Sequence, residues 1–300
     1  MTRIAVIAGP TASGKTGLAV ALARRLGGEI VNADSQQVYR GLDVGTAKPT
    51  AEERAAAPHH LLDLVEPGEG MDAARFVALA DRAIADVAGR GRVPIVAGGT
   101  GLYLRALLHG VVAAPGRDPE LRARLEEEAA LLGRPALHAR LAAIDPEAAR
   151  SVGPNDLVRV MRALEIAAGG RRPSELHAAH AFQPDRHDAV LLALDPPRAE
   201  LHARIDARVA EMFAGGILDE ARALAARYGD ALPPKLPIGY AEALACVKGA
   251  LPAAEAVRRV QVAHRRYARR QIVWLRKERG VEWIRPPYDV EALARRVDRR

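Results

Sequence analysis

Cysteine is nearly missing from these 300 residues, with Cys246 standing alone. A single thiol excludes an intramolecular disulfide and any multi-cysteine zinc site. It lies in the alanine-rich stretch AEALACVKGA, where a small core residue of a helix is the expected role. Aromatic residues are also scarce, at 4%, although apolar residues reach 49% and suffice for a buried core. No apolar run approaches the ~20 residues of a membrane span. No charged-then-apolar leader opens the chain. The expectation is a reduced, soluble, cytoplasmic protein with no membrane partner.

The net charge is +7, and it is unevenly spread. From Glu255 to Arg300 there are 14 Lys/Arg against 6 Asp/Glu, leaving 30 against 31 elsewhere. A basic C-terminal segment on a near-neutral body fits a polyanion footprint. Charge alone fits a solvated helical face equally well.

The length suggests one large domain, or a core with a smaller one. Short Val/Ile/Leu/Ala-rich runs (RIAVIAG, GEIVNAD, HHLLDLV, VPIVAGGTG) alternate with amphipathic helical patterns, which reads as buried parallel strands in an α/β fold. Strand character fades from about Ala114 to His187, where helical stretches open on Asp, Asn or Ser caps. It returns in AVLLALDPP, and the final hundred residues read as helical again. The predicted organisation is an α/β core over residues 1–113 and 188–300, with an all-helical insertion over 114–187 and a basic helical C-terminal segment.

GPTASGKT, residues 9–16, matches G-x-x-x-x-G-K-[ST] between a predicted strand and a predicted helix. Gly9, Pro10, Thr11, Ala12, Ser13 and Gly14 form a loop whose backbone N–H groups can turn inward around an anion at a helix N-terminus. Lys15 adds a point charge and Thr16 a hydroxyl able to ligate Mg²⁺. The loop says polyphosphate and is silent on chemistry.

ADSQQVYRGLDVGTAKP follows the second strand and puts Asp34 in the crevice, as a general base, a water-mediated Mg²⁺ ligand or a helix cap. AGGTG, ending another strand, offers N–H groups beside Thr100 or is an ordinary turn. In NDLVRVMRALEI, Leu157, Val160, Met161 and Leu164 make an apolar stripe, while Arg159 and Arg162 share another face. That face suits a phosphate strand or plain solvent. His59 and His60 have no second cluster to complete a metal site and read as structural.

These segments, with RIDARVAEMFAGGILDE, IGY and YARRQIVWLR, occur in the order found in the tRNA dimethylallyltransferases (isopentenyl-tRNA transferases), which the chain resembles from residue 9 to about 276. The resemblance implies a P-loop NTPase-like core. It implies transfer of a dimethylallyl group from dimethylallyl diphosphate to N6 of adenosine 37, in tRNAs reading codons that begin with U. It assigns the diphosphate to residues 9–16, with Lys15, Thr16 and Mg²⁺ neutralising it, Arg208 helping to hold it and Asp34 taking the amine proton. It assigns tRNA contacts to Asp34, Ser35, Gln36, Gln37, Thr100, Arg122, Val158, Arg159, Val160, Met161 and Arg162, within a grip on the anticodon stem-loop. No protein partner is implied, and a monomer is expected.

The chain departs from the family pattern at Ala241, where a basic residue often follows Gly-Tyr, and at Val273, where threonine is common. No cysteine/histidine finger follows the core, as in the bacterial form. The rival readings are a P-loop small-molecule or nucleotide kinase, in which Asp34 activates a hydroxyl, and a non-enzymatic RNA-binding ATPase. The long basic tail has no obvious purpose in a small kinase.

Overall fold

The computed structural model describes all residues except 112–113, 117, 182–184, 234–235 and 299–300. The first strand–helix units are β1 (Arg3–Ala8), α1 (Lys15–Leu26), β2 (Glu29–Asn32), α2 (Ala51–Ala56), β3 (His59–His60), α3 (Ala73–Gly89), β4 (Pro94–Gly98) and α4 (Gly101–His109). Five helices follow: α5 (Pro119–Leu132), α6 (Arg134–Ile144), α7 (Pro146–Ser151), α8 (Leu157–Ala168) and α9 (Pro173–Ala181). The chain then runs through β5 (Asp188–Leu194), α10 (Arg198–Ala214), α11 (Ile217–Tyr228), α12 (Tyr240–Val247), α13 (Ala253–Leu275), β6 (Val281–Ile284) and α14 (Val290–Asp298). Two compact units result, Met1–Leu108 with Asp185–Arg300, and His109–Pro184.

The larger unit holds one six-stranded sheet in the order β3-β2-β4-β1-β5-β6, every pairing parallel. Side chains alternate across a strand, so Ile4, Val6 and Ala8 of β1 pack with Phe76, Ala80, Leu104 and Leu107 of α3 and α4. Ala5 and Ile7 face the other way, toward Leu18 and Leu22 of α1 and Leu293 and Val297 of α14. Burial on both faces explains why these strands read as unbroken apolar runs. The expected α/β fold with a parallel core is the observed one.

Two strand expectations need correction. HHLLDLV yields only the two-residue β3, because Leu61 and Asp63 take positive φ (65° and 55°) and break the extension. The last hundred residues are not all helical: Val281–Ile284 forms an edge strand on β5. It is only four residues long, with Val281, Trp283 and Ile284 half-buried and Glu282 exposed. Cys246 is partly exposed on α12 rather than in the core.

The smaller unit packs around Leu125, Leu137, Leu141, Val160, Met161 and Leu164. Three of its helices open on aspartate caps, with Asp118 accepting from Leu121 N–H, Asp145 from Ala148 N–H and Asp156 from Arg159 N–H. Among the described residues, no helix is long and apolar enough to cross a membrane.

Candidate active site

The sheet order reverses at β1, which lies between β4 and β5, and the loops leaving the carboxyl ends of β1, β2 and β4 meet there. Such a switch point opens a crevice. Here it is a cleft of about 520 Å³ whose lining includes Thr11, Ala12, Gly14, Lys15, Thr16, Asp34, Gln37, Lys48, Arg208 and Gln271.

The phosphate loop is held from behind. Ala12 has φ 61°, a left-handed conformation unusual for a residue with a side chain. Its methyl packs with Leu201 and Ile205 of α10 and Ala268 of α13. Thr11 N–H donates to Gln271 Oε1 at 2.8 Å, while Gln271 Nε2 donates to the Gly99 carbonyl at 2.9 Å. Gln271 thereby joins the loops after β1 and β4. A Cβ on Gly99 would lie 2.2 Å from Gln271 Nε2, so a larger residue there would displace the amide.

Lys15 Nζ donates to the Pro10 carbonyl at 2.7 Å. Burial pushes its ammonium down to about 8, with the Asp34 carboxylate pulling the other way and Arg208 adding to the lowering. Arg208, on α10, is also lowered by burial, against Glu211 and Glu53. No ion pair or hydrogen bond engages its guanidinium among the described residues. Its buried neighbour His264 is held neutral down to about 4 by burial and by the Arg208 charge. Two partly desolvated cations facing one cleft are suited to an anion more highly charged than a carboxylate.

Asp34 leaves β2 into the same cleft. Its Oδ1 accepts the Gln36 N–H at 2.8 Å. Burial raises its pKa, while the Gln36 and Gln37 N–H groups and Lys15 oppose the rise. Ser35 N–H donates to Thr100 Oγ1 at 2.9 Å, Thr100 Oγ1 donates to Ser35 Oγ at 3.2 Å, and Gln36 Nε2 donates to Ser35 Oγ at 2.9 Å. Gln37 Nε2 donates to the carbonyls of Ala47 (2.8 Å) and Thr46 (3.2 Å). Thr100 and residues 34–37, expected to act together, are therefore neighbours.

Several residues here went unremarked in the sequence. Tyr267 and Gln271 lie on α13 within YARRQIVWLR, and the Tyr267 phenol meets Thr100 and Gln271 beside Asp34. The buried Lys48 Nζ donates to Asp43 and Asp63, each at 2.5 Å, and to the Tyr39 carbonyl at 2.6 Å. Glu220 accepts N–H groups from Asp43, Val44 and Gly45 and the hydroxyl of Tyr240. The available signal was the motifs DVGTAKP, GGILDE and IGY, for which no chemistry is evident. His60 and Arg90 both meet the buried Glu29, which is structural.

In the smaller unit, Arg122 donates to Glu165 Oε1 at 2.8 Å, and Arg162 donates to Glu165 Oε2 (3.2 Å) and the Pro115 carbonyl (2.7 Å). The Glu165 side chain is 1% exposed, so both arginines neutralise a buried charge. Arg162 is therefore not paired with Arg159 on a free face, since Arg159 remains 72% exposed. Val160 and Met161 are 1% and 3% exposed and belong to the unit's core. Of the expected contact segment, Val158 and Arg159 present side chains to solvent.

Among the described residues no group of three His, Cys, Asp or Glu side chains is placed to hold a metal. Ser13 Oγ is buried without a hydrogen-bond partner inside the phosphate loop. The Thr16 side chain on the cleft, without a cage of protein ligands, fits Mg²⁺ carried largely by phosphate oxygens and water.

Known proteins resemble the chain over nearly its whole length. A model of the IPP transferase family matches residues 37–278, and one of the isopentenyl transferases matches residues 2–70. The tRNA dimethylallyltransferase of Anaeromyxobacter sp. (strain Fw109-5) is 83% identical over 298 residues, covering 99% of each chain. That of Myxococcus xanthus is 54% identical over 288 residues, covering 95% of this chain and 93% of its own. The crystal structure of the tRNA isopentenylpyrophosphate transferase from Bacillus halodurans superposes with TM-score 0.71 at 37% identity, covering 99% of this chain and 96% of that one. A eukaryotic dimethylallyltransferase captured acting on tRNA gives TM-score 0.82 at 30% identity, over 99% of this chain and 78% of that one. Matched over almost its whole length by relatives 83% and 54% identical, the chain belongs to the tRNA dimethylallyltransferase family.

Proposed function

We propose that this protein transfers a dimethylallyl group from dimethylallyl diphosphate to N6 of adenosine 37 in tRNA, and that the phosphate loop holds the leaving group. One observation carries the reading: Lys15, Thr16, Arg208 and Asp34 line a single cleft. The full-length relatives named as tRNA dimethylallyltransferases favour it over a kinase built on the same loop.

The donor's diphosphate sits in the cradle of residues 9–16, on inward N–H groups, the Lys15 ammonium and the Arg208 guanidinium. Thr16 would hold Mg²⁺, which would add charge neutralisation to the departing diphosphate. The exocyclic amine of adenine is a weak nucleophile, because its lone pair is delocalised into the ring. As N6 bonds to the allylic carbon, the carbon–oxygen bond breaks and its electron pair leaves with diphosphate. The N6 proton passes to the Asp34 carboxylate, whose burial raises its affinity for a proton. Fixed cations near the leaving oxygens stabilise charge that develops only as the bond breaks.

The base must leave the anticodon-loop stack, which is easier from a single-stranded loop than from a duplex. Ser35, Gln36, Gln37 and Thr100 flank Asp34 and are the groups proposed to receive it. Arg159, Val158 and the basic C-terminal helices are proposed to meet tRNA phosphates, with the remaining charge on Arg122 and Arg162 contributing long-range attraction.

The test is incubation with labelled dimethylallyl diphosphate, Mg²⁺ and an unmodified tRNA whose anticodon loop carries A36–A37. Label on the tRNA with release of diphosphate is expected. Consumption of ATP with no labelled tRNA would overturn the proposal in favour of a kinase.

A further inference from the structure

The cleft that joins Lys15, Arg208 and Asp34 is polar over most of its lining. Among the described residues, its apolar side chains are Ala12 in the phosphate loop and a second group, Val44, Ala47 and Met212. The mechanism above gives that second group no part.

These three residues belong together. Met212 lies on α10 four residues after Arg208, on the same helix face and about 6 Å further along the axis. Val44 and Ala47 come from the loop between β2 and α2, and both pack on the apolar cluster that contains Met212. Val44 sits against the end of α10, where a Cβ on Gly216 would lie 3.8 Å from its Cγ2. One apolar patch therefore begins a helical turn beyond the guanidinium proposed to hold the diphosphate.

The patch is backed and held. Met212 is 5% exposed, and its cluster partners Leu42, Ile217 and Tyr240 are at most 1% exposed. The Val44 N–H donates to Glu220 at 2.7 Å, and the Ala47 carbonyl accepts from Gln37 Nε2 at 2.8 Å. A wall packed in this way yields little to extra atoms.

Dimethylallyl diphosphate is charged at one end and hydrocarbon at the other. With its phosphates between Lys15 and Arg208, its methyl groups require an apolar surface about one helical turn away. We infer that Val44, Ala47 and Met212 form the pocket for the donor's hydrocarbon group, and that Met212 closes it to chains longer than five carbons. The inference rests on the donor being an allylic diphosphate held by the phosphate loop.

Binding separates the pocket from the cradle. Inorganic diphosphate with Mg²⁺ engages the cradle alone, whereas dimethylallyl diphosphate engages both. Calorimetry is expected to show Met212→Ala weakening dimethylallyl diphosphate by roughly 10-fold or more, with inorganic diphosphate little affected. Val44→Ala, at a half-buried position that tolerates truncation better, is expected to act in the same direction. Equal losses for the two ligands, or no loss for either, overturn the pocket.

Transfer to tRNA tests the closure. The unsubstituted enzyme is expected to use geranyl diphosphate, one isoprene unit longer, roughly 100-fold less well by kcat/KM than dimethylallyl diphosphate. Met212→Ala is expected to raise the geranyl-to-dimethylallyl ratio by roughly 10-fold, and Met212→Leu, similar in volume, to restore the parent ratio. A purely structural defect lowers both donors together, so an unchanged ratio in Met212→Ala overturns the closure. So does a parent enzyme that accepts both donors equally. Should no donor label tRNA while dimethylallyl diphosphate still binds through Met212, the functional reading falls and the pocket remains.

Discussion

Tyr240 donates its hydroxyl to Glu220 at 2.5 Å, and the same carboxylate accepts the backbone N–H groups of Asp43 (2.8 Å), Val44 (2.7 Å) and Gly45 (3.2 Å). A Cβ on Gly45 would lie 2.5 Å from the Tyr240 ring. One carboxylate therefore ties IGY and GGILDE to DVGTAKP, the loop whose Thr46 and Ala47 carbonyls hold Gln37. Tyr240→Phe should lose about 1–2 kcal/mol of stability, as a neutral donor to a charged acceptor is deleted. Gly45→Ala should lose a further increment, because the fully buried ring has no room to move. Urea denaturation of the two variants measures both, and equal midpoints for all three proteins would refute the clamp.

Asp34→Asn removes the proton acceptor while keeping the side chain's shape. Transfer should fall by roughly 10²–10⁴-fold, with tRNA affinity little changed. In the unsubstituted enzyme, kcat/KM should fall with acidification as Asp34 takes a proton. Because burial raises this pKa, the acid limb should lie above the ordinary carboxylate range and vanish in the variant. A pH–rate profile of both proteins checks the sign.

The phosphate loop was legible in the sequence because anion binding by backbone N–H groups needs only a local pattern of glycines and a helix start. Asp34 was legible because it follows a strand in a fold whose strand ends form the crevice. Gln271 was not, since its place on the amphipathic α13 becomes meaningful only when two distant loops close on it. The partners of Arg162 were hidden for a related reason. Helical spacing puts it near Arg159, yet the buried Glu165 draws it away. The edge strand β6 escaped notice because four residues, one of them the exposed Glu282, are too short a run to show an alternation.

Lys15 gives a prediction with a definite direction. In the free enzyme its pKa is pushed down to about 8, mainly by burial. A bound diphosphate stabilises the ammonium and raises that value. Donor binding should therefore take up a proton between about pH 8 and the ordinary lysine range near 10.4, and weaken up to tenfold per pH unit there. Titration calorimetry at pH 9 in buffers of different ionisation enthalpy reads the uptake directly, and it should disappear in Lys15→Met. By the same linkage, folding is opposed by the buried ammonium below about pH 8, and that cost is relieved as pH rises from about 8 toward the unfolded value.

Gln271 accepts from the phosphate loop and donates to the Gly99 carbonyl, so Gln271→Glu keeps one bond and loses the other. It also adds a negative charge beside the diphosphate cradle. The KM for donor should rise by more than the KM for tRNA. Initial rates with each substrate varied in turn separate the two, and an equal effect on both would point to a general loosening of the fold.

Arg159 and Arg162 are separated by what they touch. Arg159 is 72% exposed, with only Asp156 at 3.4 Å, so Arg159→Ala should leave stability within about 0.5 kcal/mol of the parent. If it meets a tRNA phosphate, the dependence of log affinity on log salt should become shallower by about 1. Arg162 bonds the buried Glu165 and the Pro115 carbonyl, so Arg162→Ala leaves a buried carboxylate with Arg122 alone. That variant should lower the unfolding midpoint first and change tRNA affinity mainly through lost structure. Filter binding across a salt series, run beside urea denaturation, distinguishes the two. A steeper loss of salt dependence in Arg162→Ala than in Arg159→Ala would move the phosphate contact to Arg162.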